Sequence, residues 1–128
     1  MRGPAALDGA FETSLRERSD AFCVLNIGMT ALEWERVGTF AMVHGLPSVS
    51  GLRGLVDRGG LMTYGPDIAV IVRRSAAYVD KILKGATPAD LPIEQPREFD
   101  FVINLKTAQA LGLTIPEHVL LQATEVIQ

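Results

Sequence analysis

The residues best suited to chemistry in this chain are short polar side chains standing where apolar runs end. Asn26 and Met29 close the run "AFCVLNIGM", Ser50 follows "LPSV", and Thr63 and Tyr64 end "GLMTY". Asn, Ser, Thr and Tyr offer uncharged donors and acceptors, the groups that fix a small molecule's orientation in a mostly apolar cleft. The chemistry they suit is recognition. The same residues suit helix caps and turns equally well.

Bond-making chemistry finds no matched acid, base and nucleophile. No serine stands in a G-x-S-x-G elbow. The stretch "SGLRGLVDRGG" has neither the order of a dinucleotide fingerprint nor the ending of a phosphate loop. His44 and His118 are the only histidines, and neither has a carboxylate or thiol at metal-ligand spacing. Cys23 stands alone in an apolar run, which excludes a disulfide framework within the chain and predicts a core position. No enzyme, metal or cofactor is indicated. The net charge of −3, with 12 basic residues dispersed among 15 acidic ones, leaves no basic stripe for nucleic acid.

With 128 residues, 48% of them hydrophobic and 21% charged, the chain reads as one folded domain. No apolar run approaches the ~20 residues that cross a bilayer. The start "MRGPAALDGAF" lacks the apolar stretch of a secretion signal.

The elements that must position the polar residues follow from periodicity. Ala5 to Arg18 is helical, and Ala21 to Ile27 reads as a strand buried on both faces. Thr30 with Glu33 forms a capping box opening a helix to about His44, which Gly45 ends. Leu46 to Val49 is a short strand, Leu52 to Asp57 a short helix, and Leu61 to Tyr64 extended. Pro66 and Asp67 fit the first turn of a long helix that Gly85 terminates. Pro88, Pro92 and Pro96 mark a connecting loop. Phe99 to Leu105 alternates as a half-buried strand, "KTAQALGL" is helical, and Pro116 opens a last helix toward Gln128. Alternation of this kind predicts an α/β fold with a mostly parallel sheet, whose ligand sites lie at the carboxyl ends of its strands. Asn26, Ser50, Thr63 and Tyr64 stand at those ends.

The stretches "GLMTYGP", "YVDKILKGATPADLPIEQP" and "FVINLKTAQALGLTIP", in that order across residues 59–127, resemble the C-terminal part of ABC transporter substrate-binding proteins related to the tryptophan/tyrosine uptake group. Residues 7–58 resemble the preceding part more loosely. Members tend to carry a proline-containing loop where this chain reads "NIGMT", a departure that bears on Asn26 and Met29.

The resemblance implies a Rossmann-like, type I periplasmic-binding-protein architecture of two lobes that close on a ligand. Residues 1–64 would be part of the C-terminal lobe, and residues 65–128 a crossover segment supplying a closing helix and strand to the other lobe. It implies a small organic solute such as an amino acid, a transporter permease as partner, and a periplasmic or membrane-tethered extracytoplasmic location, although the chain shows no export signal. Tyr64, Thr63, Asn26, Met29 and Ser50 would contact the solute, and Gly65 and Pro66 would form a hinge. Apolar surface meant for the other lobe implies association with a second chain, such as a homodimer. The competing reading is a stand-alone cytoplasmic flavodoxin-like or receiver-like domain. Against it, "AFCVLNI" ends in Asn26, where a receiver would offer an aspartate.

Overall fold

A computed structural model describes residues 4–25 and 32–128. Helix α1 (Pro4–Arg16) leads into strand β1 (Phe22–Val24), helix α2 (Trp34–Val43), strand β2 (Ser48–Ser50), a 3-10 helix (Arg53–Arg58) and strand β3 (Met62–Pro66). Helix α3 (Ile68–Leu83) and a 3-10 turn (Pro88–Asp90) come next. Strand β4 (Phe99–Asn104), helices α4 (Leu105–Ala110) and α5 (Glu117–Leu120) and strand β5 (Glu125–Ile127) complete the order. The strands form one sheet in the order β1-β2-β3-β4-β5.

β1, β2 and β3 pair in parallel, with Val24 opposite Ser50 and Ser50 opposite Thr63. β4 pairs in parallel with β5, Ile103 opposite Val126. Between β3 and β4 the strand direction reverses: Asn104 N–H donates to Leu61 O at 2.9 Å, while Phe101 meets Tyr64. β4 therefore begins at the end of the sheet where β3 finishes. The sheet is mixed but mostly parallel, as the alternation of elements predicts.

Register and burial define two faces of the first three strands. Val24, Ser50 and Thr63 are buried on one face; Cys23, Val49 and Met62, one residue out of phase, remain partly or fully exposed on the other. The buried face carries the core, in which Leu7, Val24, Trp34, Val37 and Leu55 pack together with Phe11, Phe22 and Leu52. Each such side chain contributes roughly 1.5–3 kcal/mol. Trp34, the only tryptophan, lies against Gly54 of the 3-10 helix, where a Cβ would meet its ring nitrogen at 2.4 Å. Buried polar groups are stitched in: Asn104 donates to Val56 O and accepts from Thr107 N–H, and Thr107 Oγ1 donates to Gly59 O.

Several local expectations change. Cys23 is exposed, because β1 is the first strand of the sheet and only one of its faces is covered among the described residues. Pro66 ends β3, and Asp67 is the N-cap of α3, its carboxylate accepting from Val70 N–H at 3.0 Å. The final helix stops at Leu120, since Thr124 docks on Phe101 through backbone and side-chain hydrogen bonds and draws the β-branched Val126 and Ile127 into a fifth strand. β4 is buried on both faces at Val102, Ile103 and Asn104 in place of a simple alternation. Thr30 lies outside the described residues, and Glu33, the N-cap of α2, makes no side-chain cap bond. Gly45 does take the left-handed conformation, at φ 64°.

The chain divides into two compact units, residues 1–65 with 100–128, and residues 66–99. In the structure residues 100–128 belong with the first unit, through the pairing of β4 and β5 into its sheet. The second unit consists of α3 and the proline-rich loop. Within it Tyr78 Oη donates to Pro92 O at 2.7 Å, Arg74 pairs with Glu94, and no residue is buried.

Candidate functional site

The ends of β2, β3 and β4 bring together the polar and aromatic residues that stand out in the sequence. Ser50 and Thr63 are adjacent in register and almost fully buried. Their hydroxyls already have partners: Ser50 Oγ donates to Leu52 O at 2.6 Å, and Thr63 Oγ1 donates to Ser50 O at 2.8 Å. Each hydroxyl oxygen keeps acceptor capacity, but its proton is committed to the backbone. These two residues tie the end of β2 to the end of β3 and to the turn into the 3-10 helix.

One step along, the strands come closer than side chains allow. A Cβ on Gly65 would stand 2.0 Å from Gly51 O. The absence of a Cβ at Gly65 permits this backbone approach, and Gly65 is also the last residue of the first unit before Pro66 begins the second.

Tyr64 alternates outward between Thr63 and Gly65. It is 62% exposed, and its ring stands edge-on to Phe101, with centroids 5.9 Å apart at 81°. Phe101 itself is half-buried. The result is an accessible aromatic pair at the mouth of the sheet. Sequence reasoning missed Phe101 as a site residue. Its alternation marked it as a core position, and only the reversed β4 places it beside Tyr64. Asn26 and Met29 lie outside the described residues.

Farther along, Arg53 joins the 3-10 helix to β5. Its guanidinium grips Glu125 through two nitrogens, Nη2 to Oε1 at 2.7 Å, and its Nε donates to Asp57 at 3.2 Å. The hydrogen bond with Glu125 holds the arginine above its ordinary pKa, and the reciprocal bond holds the Glu125 carboxyl below the usual carboxylate range. The pair clamps the last strand in place. A separate apolar groove of about 410 Å³ runs between α1, β1 and α2, walled by Leu7, Phe11, Phe22, Val24 and Phe40. Ser14 and Cys23 are the polar side chains on its lining. Among the described residues there is no group of three or more His, Cys, Asp or Glu placed to hold a metal, and no helix long and apolar enough to cross a membrane.

Comparison with known proteins bears on this arrangement. The profile of the family described as ABC transporter substrate binding protein matches residues 10–127. A conserved domain protein from Vibrio cholerae O1 biovar El Tor is 32% identical and superposes with a TM-score of 0.86 over 95% of this chain and 41% of its own. An ABC domain from Streptococcus pneumoniae, solved in complex with L-Trp, is 32% identical with a TM-score of 0.82, covering 90% of this chain and 39% of that one. A ligand-free, open substrate-binding protein with adhesive properties from Clostridium difficile shares the fold at 18% identity, with a TM-score of 0.67 over 100% of this chain and 42% of its own. No curated protein matches the chain. The chain thus spans about two fifths of the length of the solved structures it matches. A stand-alone receiver-like domain is not favoured by these matches.

Proposed function

The chain belongs to the ABC transporter substrate-binding protein family, and from that premise we propose that it forms one wall of a cleft that receives a small organic solute for delivery to a membrane transporter. The solute class is an amino acid with an aromatic or branched side chain. The observation that carries this reading is the accessible Tyr64–Phe101 pair at the end of the sheet, in a chain whose 32%-identical relative is a complex with L-Trp.

Tyr64 offers its ring face and phenolic hydroxyl to the solute. Thr63 and Ser50, almost fully buried on the other face of the sheet, keep β2 and β3 in register beneath it. Asn26 and Met29, which lie outside the described residues, join them on the family resemblance alone. Gly65 and Pro66 act as the hinge, because the chain passes from one compact unit to the other between them. Closure around the solute requires backbone rotation and no covalent step. The C-terminal lobe comprises residues 1–65 and 100–128, and residues 66–99 complete the opposite lobe. Delivery to a transporter fits an extracytoplasmic site of action with a permease as partner.

One wall buries only part of a ligand, whereas small-molecule sites usually bury ~70–90% of it, so this chain alone binds weakly. Titration with L-tryptophan and L-leucine, followed by NMR chemical shifts, reads such binding directly. The expected result is a saturable shift at Tyr64, Gly65 and Phe101 that Tyr64→Ala abolishes. If neither amino acid moves these resonances at millimolar concentration, the proposal for this site fails. An unaltered response in Tyr64→Phe would remove the hydroxyl and keep the ring.

A further inference from the structure

Phe101 lies one position ahead of the first registered pair of β4 and β5, Val102 opposite Glu125. At that point a single residue of the other segment takes hold of it. Thr124 N–H donates to Phe101 O at 2.8 Å, and the Thr124 hydroxyl donates to the same carbonyl at 3.1 Å. The hydroxyl oxygen also accepts from Phe101 N–H at 2.9 Å. Both backbone polar groups of Phe101 are thus engaged by Thr124, and two of the three bonds use its hydroxyl as donor and acceptor at once.

Thr124 is exposed, so water would satisfy the same groups in its absence. What water does not supply is a fixed position. The side-chain direction of a strand residue follows from its backbone, so holding the backbone of Phe101 also holds its ring, which stands edge-on to Tyr64 with centroids 5.9 Å apart. Thr124 is anchored in turn, because the next residue, Glu125, is gripped by Arg53, Nη2 to Oε1 at 2.7 Å. Arg53 follows closely on Ser50 and Gly51 at the end of β2. A run of bonds therefore leads from the segment after β2, through the start of β5, to the ring beside Tyr64.

On the reading of the Tyr64–Phe101 pair as the solute wall, we propose that Thr124 is a positioning residue of that wall, acting through Phe101. Its hydroxyl holds the Phe101 ring against Tyr64 before any solute arrives. Without it, Phe101 N–H turns to water and the ring samples a wider range. A solute must then supply the missing order when it binds, at a cost to its affinity.

Thr124→Val removes the two hydroxyl bonds at nearly the same shape, and Thr124→Ser keeps them. Proton NMR of the 128-residue chain without solute reads the ring pair directly. The expected result is that Thr124→Val weakens the nuclear Overhauser contacts between the Tyr64 and Phe101 rings, while Thr124→Ser retains them. Glu125→Gln, which loosens β5 without touching the bonds to Phe101, should also retain them. In a titration with L-tryptophan, Thr124→Val should need about threefold to fivefold more solute for the same shift, the scale of one hydrogen bond, and Thr124→Ser should match the parent. Unchanged ring contacts in Thr124→Val overturn the proposal, even if its melting temperature falls. So does an equal loss of contacts in Thr124→Ser or Glu125→Gln, or an unaltered tryptophan affinity in Thr124→Val where the parent binds. A parent chain that ignores L-tryptophan refutes the solute wall itself, and the ring contacts then still decide whether Thr124 positions Phe101.

Discussion

Gly65 gives the sharpest test at the scale of a residue. A Cβ there would lie 2.0 Å from Gly51 O, inside any tolerated contact, so Gly65→Ala must push the end of β3 away from β2. The displacement acts directly on the Thr63–Ser50 hydrogen bond beside it. Overpacking of this kind costs about 1–3 kcal/mol, expected as a lowered urea midpoint with an unchanged slope. An unaffected midpoint would mean that the two strand ends separate at no cost. The sequence singles out Gly65 as the point where the chain turns, but the physical reason, a carbonyl on the neighbouring strand, is non-local and leaves no mark in the spacing. Cys23 teaches the converse. An apolar run predicts burial, yet exposure depends on what lies over each face of β1, which the run itself does not encode.

At the scale of elements, legibility follows length and period. α3 is read within a residue or two from its apolar spacing and from Gly85, and the strand ends that carry Ser50, Thr63 and Tyr64 are located by the breaks between runs. β5 is not legible, because three residues show no period. It becomes a strand through Thr124 binding Phe101 and through Arg53 gripping Glu125. The clamp predicts a pH dependence. The folded pKa of Glu125 lies below its unfolded value because of the hydrogen bond to Arg53, so its contribution is present above the ordinary carboxylate pKa of about 4.3 and disappears as pH falls through the depressed folded value. Glu125→Gln should therefore lower the melting temperature slightly at neutral pH, since exposed ion pairs contribute little. The gap to the parent should close in acid. Thermal melts of both proteins across that range check it, and a gap that persists at low pH would assign the effect to packing of β5.

At the scale of the molecule, the two units differ in what holds them. The first has a core around Leu55, Val37 and Ile103, each almost fully buried, and its amides in α2, β2 and β3 should exchange with solvent only on global unfolding. Residues 66–99 have no buried side chain. Their helix has the Asp67 cap, the Lys84–Asp80 pair at 2.9 Å and the contacts to the proline-rich loop, and isolated helices of this length are marginal in water. Hydrogen exchange in dilute solution should therefore show α3 amides opening orders of magnitude more readily than those of β3, only a few residues away in sequence. Protection of α3 equal to that of the sheet at every dilution would mean that the second unit carries stability its burial does not account for.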